Sequence, residues 1–157
     1  KAHGRFTRAF EAGEVEKQYL AMVEGVVEGD DGTIDLPLSK VSTAEEGWRM
    51  VGDPKGKPSV SHWEKLAVVG ERSLLRFRPQ TGRTHQLRVH ALEGLGFALV
   101  GDPVYGRGGT RTRTLLHAER LVVQRDAKPP IIAEAPFPDS FIAQGFAAPE
   151  GAEPTRG

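Results

Sequence analysis

The chain has no cysteine, so disulfide bonds and thiolate metal sites are excluded. No apolar run approaches the roughly 18 residues of a membrane-spanning helix, and the amino end lacks the apolar core of a secretory signal. There is no net charge, because 21 basic residues balance 21 acidic ones, whereas nucleic-acid-binding proteins usually have a basic excess. These absences favour a cytosolic protein, and its 157 residues are enough for one domain with an apolar core.

The charges are unevenly spread along the chain. Between Glu71 and Arg125 there are ten arginines and four acidic residues, an excess of six positive charges that the acidic flanks balance. Arginine suits bidentate contacts with phosphate and stacking on bases. The basic centre indicates a polyanion such as RNA as partner, although a solvated arginine-rich surface without a ligand explains the composition equally well.

The hydrophobic pattern predicts short strands and helices in mixed order. The predicted strands are 19–25, 33–38, 60–69, 73–78 and 115–123, with a hairpin between 60–69 and 73–78. The predicted helices are 2–10 and 85–94, and residues 135–141 are predicted to be a turn that leads into a short terminal helix. Residues 43–58 are polar and rich in Gly, Pro and Lys, which predicts an exposed loop with Trp48 as its one large apolar anchor.

This order of elements, without a linker or an internal repeat, predicts a single α+β domain. Its sheet is expected to be mixed and largely antiparallel, with flanking helices. The domain is predicted to span residues 1–142, and residues 143–157 are predicted to be a disordered tail.

The most informative segment is Pro79 to His90, which reads Pro-Gln-Thr-Gly-Arg-Thr-His-Gln-Leu-Arg-Val-His. Gly82 ends the preceding strand, and Thr84 is predicted to cap the following helix. The polar side chains expected around this turn and the positive end of the helix dipole are Arg83, His85, Gln86 and Arg88. Such a place favours a phosphate, a carboxylate or the edge of a base.

Other interpretations of these residues are open at the level of the pattern alone. A lone Tyr19 in a strand is more often a core residue, and Arg83 in a turn is more often solvated. His85 and His90 are five residues apart and lie on different helix faces, and neither cysteine nor carboxylate completes a ligand set. We therefore predict that the segment binds no metal.

The segment Pro79 to His90 resembles the Thr-Gly-Arg-Thr-His-Gln-Leu-Arg-Val-His signature of the RluA-like family of RNA pseudouridine synthases. A second stretch, Lys17 to Gly25, is similar to the Lys-x-Tyr-x-Ala-x-Val-x-Gly motif of the same family. Further blocks match in the family order, namely Gly101–Gly106, Leu115–Ala118 and Ala135–Pro138. The resemblance covers nearly the whole of residues 1–142.

The resemblance implies a pseudouridine-synthase-like fold and a defined site. In such a site Tyr19 stacks on the flipped uracil, and Arg83 pairs with the catalytic aspartate and holds it ionised. RNA contacts are implied for Thr81, Thr84, His85, Gln86 and Arg88, and for His85 and Gln86 the alternative is that they order the turn. Asp102, in the Gly-Asp-x-x-Tyr-Gly block, is expected to accept hydrogen bonds from the backbone of its own turn.

The resemblance also implies the reaction. Uridine becomes pseudouridine when its glycosidic bond is cleaved, the uracil rotates and the ring is rejoined through carbon 5. A flipped nucleotide, an aromatic platform and a carboxylate are required, while no metal or cofactor is needed. The carboxylate acts as a nucleophile or as a base on the sugar, and both remain open. The expected partner is rRNA or tRNA, and the expected protein is a cytoplasmic monomer.

The family block His-Arg-Leu-Asp-x-x-Thr-Ser-Gly-Leu, which contains the catalytic aspartate, does not occur in the chain. The chain resembles about the C-terminal two thirds of the catalytic domain. One hypothesis is an isomerase represented by an incomplete chain that is inactive alone, with the aspartate encoded upstream of Lys1. The alternative is a non-catalytic RNA-binding domain derived from the family. Because the chain does not begin with Met, the first hypothesis is favoured.

Overall fold

An antiparallel sheet of six strands forms the centre of the fold, in a computed structural model that describes residues 15–45, 47–109 and 112–146. The helix predicted over residues 2–10 lies outside the described residues. The strands are β1 (Val15–Val23), β2 (Asp31–Asp35), β3 (Leu38–Thr43), β4 (Gly47–Gly52), β5 (Val60–Val69), β6 (Arg72–Pro79), β7 (Leu116–Arg125) and β8 (Lys128–Glu134). The helical elements are α1 (Gln86–Val89), a π-helical turn that continues it (His90–Leu95) and α2 (Asp139–Ile142). No helix in these three ranges is long and apolar enough to cross a membrane.

The strands of the main sheet are ordered β2-β5-β6-β1-β7-β8, and β3 and β4 form a separate ribbon. Every strand pairing that the described residues make is antiparallel. This confirms the predicted α+β fold with a largely antiparallel sheet. The predicted hairpin is present as β5 and β6, and Gly70 at its turn has a φ of 60°, which glycine adopts without strain.

The two central strands, β1 and β6, are buried on both faces because each has consecutive apolar side chains. On one face Ala21 and Leu75 pack against Leu87 of α1. On the other face Leu20 packs against a group of three phenylalanines, Phe137, Phe141 and Phe146. The sheet is thus covered on both sides at its centre, which fixes β1 and β6 relative to α1.

The end of the chain differs in one respect from the prediction. The predicted short helix is present as α2, but the first residues of the predicted tail, 143–146, are packed beside it. Phe146 is 2% exposed and belongs to the core beside α2. Residues 143–146 are therefore part of the packed fold, while the positions from 147 onward lie outside the described residues.

The exposed loop predicted over residues 43–58 is wrong for its first part. Strands β3 and β4 pair there as a two-stranded ribbon, and Trp48 is 43% exposed rather than an anchor. The ribbon is attached through Met50, whose side chain is buried and whose N–H donates to the Tyr105 hydroxyl at 2.9 Å. A ribbon that is mostly exposed has no apolar period to detect. Strand β8 was missed for the same reason, since all of its residues are exposed.

The predicted helix over 85–94 is present in a different form. It begins after His85, not at Thr84, and no side chain caps its first turn. After one turn of α-helix it widens into a π-helical turn from His90 to Leu95. The physical reason for the missing Thr84 cap is that the Gln86 side chain, in the first turn of the helix, accepts the Arg83 N–H and so stabilises the turn that leads into the helix.

Candidate active site

Tyr19 and Arg83, which are distant in the chain, line one cleft of about 320 Å³. The residues around it are Lys17, Tyr19, Pro79, Thr81, Gly82, Arg83, His85, Gln86, Leu87, Arg88 and Leu116. Six of the seven side chains predicted for the site share this cleft, and Thr84, which is exposed, does not line it. The two motifs meet because the register of β1 and β6 sets Tyr19 opposite Phe77, close to the turn that follows.

Tyr19 presents a neutral aromatic ring to the cleft. In β1 it pairs with Phe77 on one side and with Ala118 on the other, and the pairing with β7 shifts register between Gln18 and Tyr19. Such a bulge re-aims a side chain relative to the regular alternation. Burial raises the pKa of the Tyr19 phenol, so the ring stays protonated at neutral pH. A half-buried neutral ring is suited to stacking on a flat ligand.

Arg83 supplies a cation to the same cleft. Its Nε donates to the carbonyl oxygen of Pro58 at 3.0 Å. None of the ion pairs formed within the described residues involves Arg83. The guanidinium has further donors in a planar fork, which matches a carboxylate or a phosphate. Arg83 is therefore available for an anionic group that enters the cleft.

Hydrogen bonds beneath the turn hold the backbone of Arg83. The Thr81 hydroxyl accepts the Val60 N–H at 3.1 Å and donates to Gln86 Oε1 at 2.6 Å. The same Oε1 accepts the Arg83 N–H at 3.1 Å. Gln86 Nε2 donates to the Val60 carbonyl oxygen at 3.0 Å and to the Ser61 hydroxyl at 2.9 Å. Gln86 is 4% exposed and orders the turn, which is one of the two roles that the resemblance implies for it.

His90 extends this network into the core. Its Nδ1 lies 2.8 Å from Ser61 Oγ, and its Nε2 lies 2.9 Å from the carbonyl oxygen of Leu36. Because a carbonyl only accepts, the proton is on Nε2, and Nδ1 accepts the hydrogen of the Ser61 hydroxyl. Ser61 thus donates to His90 and accepts from Gln86. Burial is the main cause that lowers the pKa of His90, so the fully buried ring is neutral.

We expect the free energy of unfolding to fall as the pH is lowered from about 7 to about 5, in part because of His90. The pKa of folded His90 is below the ordinary value of 6.5. At a pH between the folded and the unfolded pKa, the unfolded chain therefore binds a proton that the folded chain excludes. This contribution is complete above the unfolded pKa and is lost as the pH falls through the folded pKa. Urea unfolding at several pH values measures it. The His90→Gln variant, which cannot titrate, is expected to have a flatter profile, and equal slopes would contradict the assignment.

Arg88 has a partner inside the protein. Its Nε and Nη2 donate to the two carboxylate oxygens of Asp102 at 2.8 and 2.7 Å, and Asp102 also accepts the N–H groups of Val104 and Tyr105. Burial alone raises the pKa of Asp102, but these hydrogen bonds hold it below its ordinary value. Arg88 also lines the cleft, and the phosphate contact predicted for it remains a prediction. Asp102 has the structural role that its turn predicts.

His85 stands at the wall of the cleft in a constrained conformation. Its φ of 55° is left-handed, which is uncommon for a residue other than glycine and is often found at functional sites. Nδ1 lies 2.9 Å from the Tyr105 hydroxyl, and the imidazole stacks on Trp48 with ring centroids 4.9 Å apart. Burial and the charge of Arg88 lower the pKa of His85, so its ring is neutral at neutral pH.

Three residues that complete this region were not predicted as part of it: Trp48, Ser61 and Tyr105. Tyr105 belongs to the Gly-Asp-x-x-Tyr-Gly block, so the motif contained a signal for it. Ser61 and Trp48 had no such signal, because a buried serine and an exposed tryptophan both depart from the periodicity on which the predictions rest.

A second cleft of about 590 Å³ adjoins the first and shares Lys17 and Pro79 with it. Arg78 and Arg120 lie in its wall, and Glu16 is the acidic residue among the described residues that line it. Four of the ten arginines between Glu71 and Arg125 line the two clefts, namely Arg78, Arg83, Arg88 and Arg120.

Two solved human structures share this fold. The chain aligns with human RNA pseudouridylate synthase domain containing 1 with a TM-score of 0.72 and 30% identity, over 98% of this chain and 67% of that one. It aligns with human RNA pseudouridylate synthase domain containing 4 with a TM-score of 0.69 and 21% identity, over 90% of this chain and 65% of that one. The fold is therefore that of the pseudouridine synthase class.

Sequence comparison then identifies the family. The RNA pseudouridylate synthase family matches residues 1–93. An uncharacterized RNA pseudouridine synthase of Zymomonas mobilis is 53% identical over 148 residues, which cover 93% of this chain and 68% of that protein. Ribosomal large subunit pseudouridine synthase D of the same bacterium is 36% identical over 126 residues, which cover 80% of this chain and 38% of that protein. The chain belongs to the RNA pseudouridylate synthase family, as its motifs indicate.

Proposed function

We propose that this chain forms the tyrosine and arginine side of the active site of an RNA pseudouridine synthase, which isomerises specific uridines in rRNA or tRNA. The observation that supports this function is the cleft where Tyr19 of one motif meets Arg83 of the other. Its volume of about 320 Å³ suits a single flipped nucleotide.

The proposed reaction balances without an oxidant or a consumed water. The bond between N1 of uracil and C1′ of ribose breaks, and a bond between C5 and C1′ forms. The hydrogen on C5 is lost, and N1 takes one up. Tyr19 stacks on the detached uracil while it turns, and Arg83 orients the carboxylate that starts the cleavage and keeps it ionised.

The carboxylate is not supplied by the described part of the cleft, since none of its lining residues there is acidic. Asp102 touches Arg88 from behind the wall, but it is fully buried and engaged with that guanidinium. We infer that the carboxylate comes from the His-Arg-Leu-Asp block of the family, which these 157 residues do not contain. The 157-residue chain alone is then inactive on uridine.

The test compares the purified chain with a longer chain in which a family segment containing the His-Arg-Leu-Asp block precedes Lys1. We expect pseudouridine, detected by mass spectrometry in rRNA and tRNA transcripts, with the longer chain alone. The longer chain with the aspartate of the block changed to asparagine is the matched control and is expected to be inactive. Pseudouridine made by the 157-residue chain would contradict the role of the block, and its absence with the longer chain would contradict the function.

The second candidate is a non-catalytic RNA-binding domain, favoured by the same lack of an acidic group in the described cleft wall. This candidate predicts that the longer chain with the His-Arg-Leu-Asp block also binds RNA without isomerising uridine. Both functions predict weak binding by the 157-residue chain that decreases as salt is added, because cationic side chains displace counterions from phosphates.

We propose further that the protein acts in the cytoplasm as a monomer, without metal or cofactor.

A further inference from the structure

We propose that Trp48, on the ribbon of β3 and β4, is a stacking platform for a second nucleobase, next to the nucleotide held in the cleft. The RNA would be single-stranded there, since only an unpaired base offers its face to a side chain. This inference rests on the proposed function and adds a contact outside the cleft to the same RNA.

The exposure of Trp48 is the first observation. Its side chain is 43% exposed, whereas Trp63, the other tryptophan, is 8% exposed. The ribbon is attached through other groups: Met50 is buried and bonded to Tyr105, and the Gly52 N–H donates to Glu93 at 3.0 Å. The attachment of the ribbon therefore does not require an aromatic ring at position 48.

The position of the ring is the second observation. Trp48 stacks on His85 with ring centroids 4.9 Å apart and planes inclined by 21°, and His85 lines the cleft. His85 is held by its left-handed backbone and by the Tyr105 hydroxyl. The indole thus stacks on a ring that belongs to the cleft wall. A nucleotide adjacent to the one in the cleft passes over it.

The charges around the ring are the third observation. Lys40 Nζ lies 4.7 Å from the centroid of the Trp48 ring, and the Lys40 side chain is exposed. Arg49 lies over Tyr105 at 4.9 Å, and its buried Nε has no hydrogen-bond partner among the described residues. Cations between aromatic rings are typical of surfaces that bind single strands, where bases stack and phosphates pair with cations. A base on Trp48 takes the place of the Lys40 ammonium, which moves to a phosphate.

The two tryptophans make a direct test possible. In Trp63→Phe the indole emission comes from Trp48 alone, and in Trp48→Phe it comes from Trp63 alone. On titration with a labelled single-stranded oligoribonucleotide, we expect quenching of Trp48 and unchanged emission of Trp63, with binding followed independently by anisotropy. If Trp63→Phe does not fold, the difference between the wild-type and Trp48→Phe emission reports Trp48.

Affinity provides a second readout. Trp48→Leu is expected to raise the Kd for the oligoribonucleotide about tenfold, while Trp48→Phe, which keeps a flat ring on His85, raises it less than about threefold. Ile131→Ala is the matched control, because Ile131 is a similarly exposed apolar side chain on β8 and should leave the Kd unchanged. An oligonucleotide of the same length without bases should bind through its phosphates and leave Trp48 emission unchanged.

The outcomes separate this inference from the proposed function. RNA binding with unchanged Trp48 emission, an unchanged Kd in Trp48→Leu, or equal quenching by the oligonucleotide without bases overturns the stacking platform and leaves the proposed function in place. Absence of any RNA binding at low salt overturns the proposed function itself.

Discussion

Asp102→Ala is expected to lower the free energy of unfolding by about 4 kcal/mol. The carboxylate is fully buried and accepts hydrogen bonds from Arg88 and from the N–H groups of Val104 and Tyr105. Alanine leaves two N–H groups without an acceptor and a guanidinium that is only 17% exposed without its counter-charge. Urea unfolding at neutral pH measures the change.

The matched control removes a carboxylate from an exposed ion pair. Glu134 pairs with Arg120 at 3.4 Å, with side chains 65% and 43% exposed, and Glu134→Gln is expected to change the stability by less than about 0.5 kcal/mol. Adding Arg88→Ala to Asp102→Ala should recover part of the loss, because the buried unpaired charge is then removed. A loss below about 1 kcal/mol for Asp102→Ala would contradict the structural role of this pair.

Arg83→Ala is expected to reduce activity strongly and to leave stability nearly unchanged, in contrast to Asp102→Ala. In the longer chain that includes the His-Arg-Leu-Asp block, kcat should fall about 1000-fold, because the catalytic carboxylate loses the group that orients it and holds it ionised. The free energy of unfolding should change by less than about 0.5 kcal/mol, since among the described residues the Arg83 side chain makes one hydrogen bond, to the Pro58 carbonyl oxygen. Single-turnover kinetics and urea unfolding measure the two quantities.

A pH profile separates positioning from a general loss of structure. Without the guanidinium the pKa of the carboxylate rises, so the acidic limb of the rate profile should move to higher pH. Arg83→Lys is expected to retain part of the activity, because lysine keeps the charge but not the planar fork. Tyr19→Phe is the control for a substitution in the same cleft that keeps the aromatic ring, and its free energy of unfolding should remain close to that of the wild type. A kcat for Arg83→Ala within about threefold of wild type would contradict the assignment.

The central strands and the family could be predicted from the sequence alone. Alternating and consecutive apolar residues mark β1, β5 and β6, because burial on a sheet face imposes a period of two on side chains. The ribbon of β3 and β4 could not be predicted from such a period. Leu38 and Met50 are its two buried side chains among the described residues, and two positions make no period.

In the candidate site, too, one part could be predicted from the sequence and another part depends on the tertiary structure, and both parts lie within one motif. The sequence by itself determined that cations and amides follow a glycine turn between Pro79 and His90, and without the family resemblance this local pattern does not distinguish Arg83 from Arg88. Only the tertiary structure decided that Arg83 forms no ion pair among the described residues, while Arg88 is held by Asp102 and Gln86 by Ser61. The reason is physical: a polar side chain turns toward the donors and acceptors that the fold brings opposite to it. In this protein those partners come from strands and loops that are distant along the chain.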